Sequence, residues 1–138
     1  MVEYKETEPI ERFNGKLESS KLETMNKGEK DEFTNLHMVF EPTSKVIIDK
    51  IKSSKTKRLH NYIRMPKTVE ASLIPDKSGF AKYLRDIEAV FPECKKLKTW
   101  NEIIDHLKDK NILYVEKVIG TAFEGYEGRK AFVPQQLI

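Results

Sequence analysis

Three residues in the middle of the chain combine types and spacing that could do work together. His60, Tyr62 and Arg64 alternate with Leu59, Asn61, Ile63 and Met65. In an extended strand, alternate residues share a face, so a flat imidazole, a phenol and a guanidinium would project side by side. Such a row is a stacking platform for unpaired bases, each stacked base contributing ~1–3 kcal/mol. Leu59, Ile63 and Met65 are the better core set, which leaves His60, Tyr62 and Arg64 outward. Lys52, Lys55, Lys57 and Arg58 lie just upstream and would hold phosphates beside the platform. The competing reading has Tyr62 capping the core, with His60 and Arg64 as ordinary solvent-facing residues.

A second candidate lies near the C-terminus. Tyr126 sits between Gly125 and Gly128, with Arg129 and Lys130 following. An aromatic at a glycine-flanked hairpin tip, backed by two cations, suits gripping a nucleic-acid strand, and one such aromatic is also a common accident of sequence.

Other chemistries find little material. The three histidines, His37, His60 and His106, are far apart, and no Cys-x-x-Cys or His-x-x-x-His spacing occurs, so neither a metal nor another cofactor is expected. No Gly-x-Ser-x-Gly elbow, phosphate-binding loop or dinucleotide fingerprint is present. Cys94, the single cysteine, has no second thiol to pair with and no histidine near it in sequence; it reads as a dispensable residue of a connection. The expected function is therefore binding, not catalysis. A small nuclease, the enzymatic alternative, would need clustered acids.

Charge is unevenly spread. Residues 1–32 carry nine acidic and six basic side chains, whereas residues 45–67 carry eight basic side chains and one acid, Asp49. A local excess of +7 can steer a polyanion to one surface, and it is equally the composition of a well-solvated loop. The chain has no apolar run of the ~20 residues that a membrane helix requires. Its charged start does not read as a signal peptide, and one cysteine fits a reducing compartment; a cytoplasmic location is expected.

These side chains need a scaffold, and 138 residues suit one domain. Residues 1–9 read as a flexible lead-in. Residues 10–24 read as a long strand with a bulge or bend at Gly15, residues 33–41 as a second strand ended by Pro42, and residues 58–65 as a third. Residues 44–52 fit either a strand or a turn of helix, and residues 69–74 suggest a further short strand. Phe80, Tyr83, Leu84, Ile87 and Phe91 fall at helical spacing after Ser78, with Pro92 as the stop. Thr99 and Glu102 form a capping box that opens a second helix. Residues 112–119 return to strand character, and residues 121–133 read as a hairpin closed by Pro134.

Strands, a two-helix insert over about 76–110 and closing strands make a β-rich α+β domain. Curling into a small barrel would bury one face and remove the edges. The OB-fold is such a barrel, with its helix between the third and fourth strands; generic α+β architectures are the alternative. The runs Leu36-His37-Met38-Val39-Phe40-Glu41-Pro42, Leu59-His60-Asn61-Tyr62-Ile63-Arg64 and Lys77-Ser78-Gly79-Phe80-Ala81-Lys82-Tyr83-Leu84 resemble those of archaeal and phage proteins of OB-fold type. The resemblance is one of patterning and contains no signature motif. It implies single-stranded-DNA binding in replication or repair, with single-stranded nucleic acid as the partner. A protein-interaction or assembly module on the same scaffold is the alternative.

Overall fold

The computed structural model describes residue 2 and residues 9–67, 69–120 and 129–138. Five strands, β1 (Arg12–Met25), β2 (Phe33–Pro42), β3 (Leu59–Arg64), β4 (Ile112–Val118) and β5 (Lys130–Leu137), form one antiparallel sheet in the order β3-β2-β1-β4-β5. Helix α1 (Lys45–Ile51) joins β2 to β3. Helix α2 (Gly79–Val90), a 3₁₀ turn (Pro92–Lys96) and helix α3 (Trp100–Asp105) occupy the long connection between β3 and β4. The domain is therefore β-rich α+β with its helical insert where the sequence places it. Of the expected lead-in over residues 1–9, only residues 2 and 9 are described.

The core lies on the sheet face covered by α2. Leu36, Met38 and Phe40 from β2 and Leu59 and Ile63 from β3 point into it, as their alternation requires. Phe80, Tyr83 and Ile87 give α2 its buried stripe, and the Ser78 hydroxyl caps the helix by accepting from Ala81 N–H. Four aromatic rings fill the centre: Phe13 stacks on Tyr114 at 5.3 Å, and Phe40 and Phe132 meet Phe13 edge-on at 5.5 and 4.9 Å.

The ladder does not close among the described residues: β3 and β5 are its two ends. One side chain bridges them. Asn61, 2% exposed, accepts from Phe132 N–H at 2.7 Å and donates to the Phe132 carbonyl at 2.9 Å. Its amide thus pairs with β5 much as a strand's own peptide would. The Tyr83 hydroxyl donates to the same carbonyl at 2.8 Å, tying α2 to the seam.

Several local expectations are corrected. The bulge in β1 lies at Glu18, between the Leu17–Phe40 and Ser19–Val39 pairs, and not at Gly15. Gly15 is required by contact instead: it pairs with Pro42 on one side and Ile112 on the other, and a Cβ there would lie 2.8 Å from the Glu41 carbonyl oxygen. Residues 44–52 resolve as helix, because Ile47 and Ile51, one turn apart, reach the core. No strand forms over residues 69–74; Glu70 and Leu73 make a single bridge around a turn whose Ala71 carbonyl accepts from Trp100 N–H. Pro134 does not end the last strand, which runs on to Leu137. β5 ends the ladder and slips register beside Pro134, so the missing N–H is tolerated. Cys94 is fully buried in the 3₁₀ turn, and burial raises its thiol pKa.

Candidate nucleic-acid interface

The outer face of β2 and β3 carries the residues that the alternation put there. His60 and Tyr62 project from β3, and Tyr62 is 53% exposed. The structure adds a third ring, which local patterning alone did not select. His37 pairs with Tyr62 across the β2–β3 ladder, and their rings stack at 4.5 Å with planes 13° apart. His60 lies beside both, its ring 5.1 Å from His37 and 6.1 Å from Tyr62 in nearly parallel planes. The signal that could have found His37 is register: aligning Leu36, Met38 and Phe40 with Ile63, Asn61 and Leu59 sets His37 opposite Tyr62.

A hydrogen-bonded chain runs beneath these rings. Thr56 Oγ1 meets His60 Nε2 at 3.1 Å, His60 Nδ1 meets His37 Nε2 at 2.8 Å, and His37 Nδ1 meets Glu23 Oε1 at 2.9 Å. Lys21 Nζ holds the same carboxylate oxygen at 3.2 Å. Glu23 and Lys21 are available on this face because of the bulge at Glu18. Before it, odd-numbered Phe13 and Leu17 point inward; after it, Leu22 pairs with the buried Leu36, and Lys21 and Glu23 turn outward. The hydrogen bond from His37, and then that from Lys21, lowers the Glu23 pKa. Burial and the neighbouring His37 charge lower that of His60, partly opposed by Glu23.

Cations flank the rings at both ends of β3, but not all as expected. Lys52, Lys57 and Arg58 line a depression beside α1 with Glu41, Pro42 and Ile51, and Lys55 is exposed nearby in the same connection. Arg58 is engaged there: its guanidinium grips the Glu18 carboxylate at 3.1 and 3.3 Å, which raises its pKa and offsets its charge. At the other end, the Arg64 guanidinium lies 3.8 Å over the Phe33 ring centroid, a cation–π contact that adds Phe33 to the site. Arg64 borders an open groove of about 780 Å³ shared with Lys30, Phe33 and Lys67, where Asp31 and Glu32 offset part of the positive charge. It also lines a smaller depression with Arg129, Ser78 and Gly120, so Arg64 and Arg129 are brought together across the seam. Lys130 is exposed at the start of β5. Tyr126 lies outside the described residues.

Among the described residues no three His, Cys, Asp or Glu side chains come together as a metal-ligand set. No described helix is long and apolar enough to cross a membrane. No protein-family model, curated protein or solved structure matches the chain.

Proposed function

We propose that the chain binds single-stranded nucleic acid, DNA in the first instance, on the outer face of β2 and β3 and acts by binding rather than by turnover. The observation that carries this reading is the half-exposed Tyr62 ring, stacked on His37 and set between cationic residues at the two ends of β3. A stacked ring held by a neighbour is already ordered, so a base landing on its other side costs little further side-chain entropy. Six residues of strand give a track of roughly 20 Å, with phosphate-binding charge at each end and aromatic surface between.

The scaffold supports the same reading. The five-stranded antiparallel sheet, with helices between β3 and β4, is compatible with an OB-like arrangement, and OB barrels bind oligonucleotides on the face of their second and third strands. Here that face is the one bearing His37, His60 and Tyr62. Replication or repair is the setting such binding would serve.

One observation favours the alternative of a protein-docking module. Beyond Leu17, β1 has a ladder partner only on its β2 side among the described residues, and Leu22 is 52% exposed there. An unpaired strand edge of this kind can accept a partner's strand.

Titration of labelled dT and U oligonucleotides and of a duplex at low salt separates the readings. Single strands should bind more tightly than duplex, with log K falling by ~0.7 per neutralised phosphate for each decade of salt. Alanine at Lys55 and Lys57 should flatten that slope. Tyr62→Ala should weaken binding by ~1–3 kcal/mol and leave the slope unchanged, since stacking releases no counterions. Absence of binding to every single strand would pass the lead to the docking module.

A further inference from the structure

The His37–His60 pair is built to hold one extra proton and to refuse a second. Glu23 can only accept, so His37 Nδ1 carries a proton toward it at 2.9 Å. In the neutral state His37 Nε2 then accepts from His60 Nδ1–H at 2.8 Å, and His60 Nε2 accepts from the Thr56 hydroxyl. Adding one proton reverses the last two bonds without breaking either: His37 Nε2–H donates to His60 Nδ1, and His60 Nε2–H donates to Thr56 Oγ1. A second proton would set two N–H donors against each other across 2.8 Å. The charge of Glu23 and the pair together thus moves from −1 to 0 in one step, on the face that carries Tyr62. The charged and titratable groups facing the pair are Lys21 and Glu23 from β1 and Tyr62 from β3, with Thr56 from the α1–β3 connection.

We propose that the His37–His60 pair is a proton-linked contact for the phosphodiester backbone, so that binding a single strand across Tyr62 draws one proton into the Glu23–His37–His60–Thr56 chain. This rests on the reading of the β2–β3 face as a single-strand platform. With Lys21 on the same carboxylate the cluster moves from neutral to +1 as the proton enters; a polyanion is attracted to the charged state more than to the neutral one, so the strand binds the protonated pair more tightly, and by reciprocity raises its proton occupancy. The exchange falls where histidine side chains titrate. The third histidine, His106, is hydrogen-bonded to Glu93 on the helical connection and takes no part.

The test is anisotropy titration of a labelled dT oligonucleotide at fixed ionic strength from pH 8 to pH 6, together with calorimetry in two buffers of different ionisation enthalpy. Thymine and the phosphodiester do not titrate in this range, so the pH response belongs to the protein. Wild type should tighten by about three- to tenfold from pH 8 to pH 6, which by linkage is an uptake of roughly 0.2 to 0.5 proton on binding averaged over that range. Replacing both His37 and His60 by asparagine should leave less than about a twofold pH response, while Tyr62→Ala should bind more weakly and keep the wild-type response. Wild type that binds equally at both pH values with no proton uptake overturns the proposal while leaving the platform standing. Wild type that binds no single strand at either pH removes the platform itself, and the proposal with it.

Discussion

Replacing Asn61 by alanine should be among the most damaging single changes in this domain. The Asn61 amide closes the seam between β3 and β5 by pairing with both polar groups of Phe132, at 2.7 and 2.9 Å, and it also donates to the Tyr83 hydroxyl at 3.1 Å. In Asn61→Ala the Phe132 N–H is left buried without that acceptor, which costs about 1–3 kcal/mol. The Phe132 carbonyl keeps the Tyr83 hydroxyl and so loses less. The vacated volume lies among Met38, Tyr83 and Phe132 and adds a cavity cost of about 1 kcal/mol. The sum is about 2–4 kcal/mol out of the ~5–15 kcal/mol typical of a domain. Tyr83→Phe removes the hydroxyl's bond to a carbonyl that Asn61 still serves and one of the acceptors of the Asn61 amide, and should cost about 1–2 kcal/mol. Urea unfolding followed by circular dichroism gives both values, and hydrogen exchange at the Phe132 amide reports the seam directly. A loss below about 1 kcal/mol for Asn61→Ala, or equal losses for the two variants, would refute the bridging role.

Three further outcomes are expected. Gly15→Ala should destabilise by about 1–3 kcal/mol in urea, because the new Cβ would lie 2.8 Å from the Glu41 carbonyl oxygen and 2.9 Å from the Phe13 ring; a neutral result would show that β1 can shift there. Cys94 should resist thiol reagents in the native protein, and Cys94→Ser should cost about 1–2 kcal/mol by burying a hydroxyl in an apolar site; rapid labelling or an unchanged melting temperature would contradict its placement. Stability should decline in two stages on acidification. The folded-state pKa of His60 lies below the ordinary 6.5, so its contribution is full above pH 6.5 and is lost as pH falls through the depressed folded value; Glu23, lowered from 4.5, contributes above pH 4.5 and loses its share below. Thermal melts from pH 8 to 3 check this, and a stability rising between pH 6.5 and 5 in wild type but not in His60→Asn would reverse the sign.

The regular elements were legible where one period governs one element. Alternation in β2 and β3 placed Leu36, Met38, Phe40, Leu59 and Ile63 inside and His60 and Tyr62 outside, and the period of α2 with its Ser78 cap read directly. The rest depends on contacts between distant segments. A one-residue bulge at Glu18 reverses the parity of β1 and brings Lys21 and Glu23 to the histidines. Its only trace in the sequence is that apolar positions switch from odd at Phe13 and Leu17 to even at Leu22. The β-branched run from Val46 to Ile48 favoured a strand locally, yet the spacing of Ile47 and Ile51 against the core decides for helix. Nothing in the basic run from Lys45 to Lys67 distinguishes Arg58 from its neighbours; its carboxylate partner, Glu18, is 40 residues away.

The most direct test of the single-strand platform is a map of amide chemical shifts in the 16.1 kDa protein on titration with a dT oligonucleotide at low salt. The expected footprint follows β2 and β3, with the largest changes at His37, His60, Tyr62 and Arg64 and smaller ones at Lys55 and Lys57, and it fades as salt is raised. No shifts at saturating oligonucleotide, or shifts gathered along the β1 edge from Ser20 to Leu22 with the β2–β3 face unmoved, would contradict it.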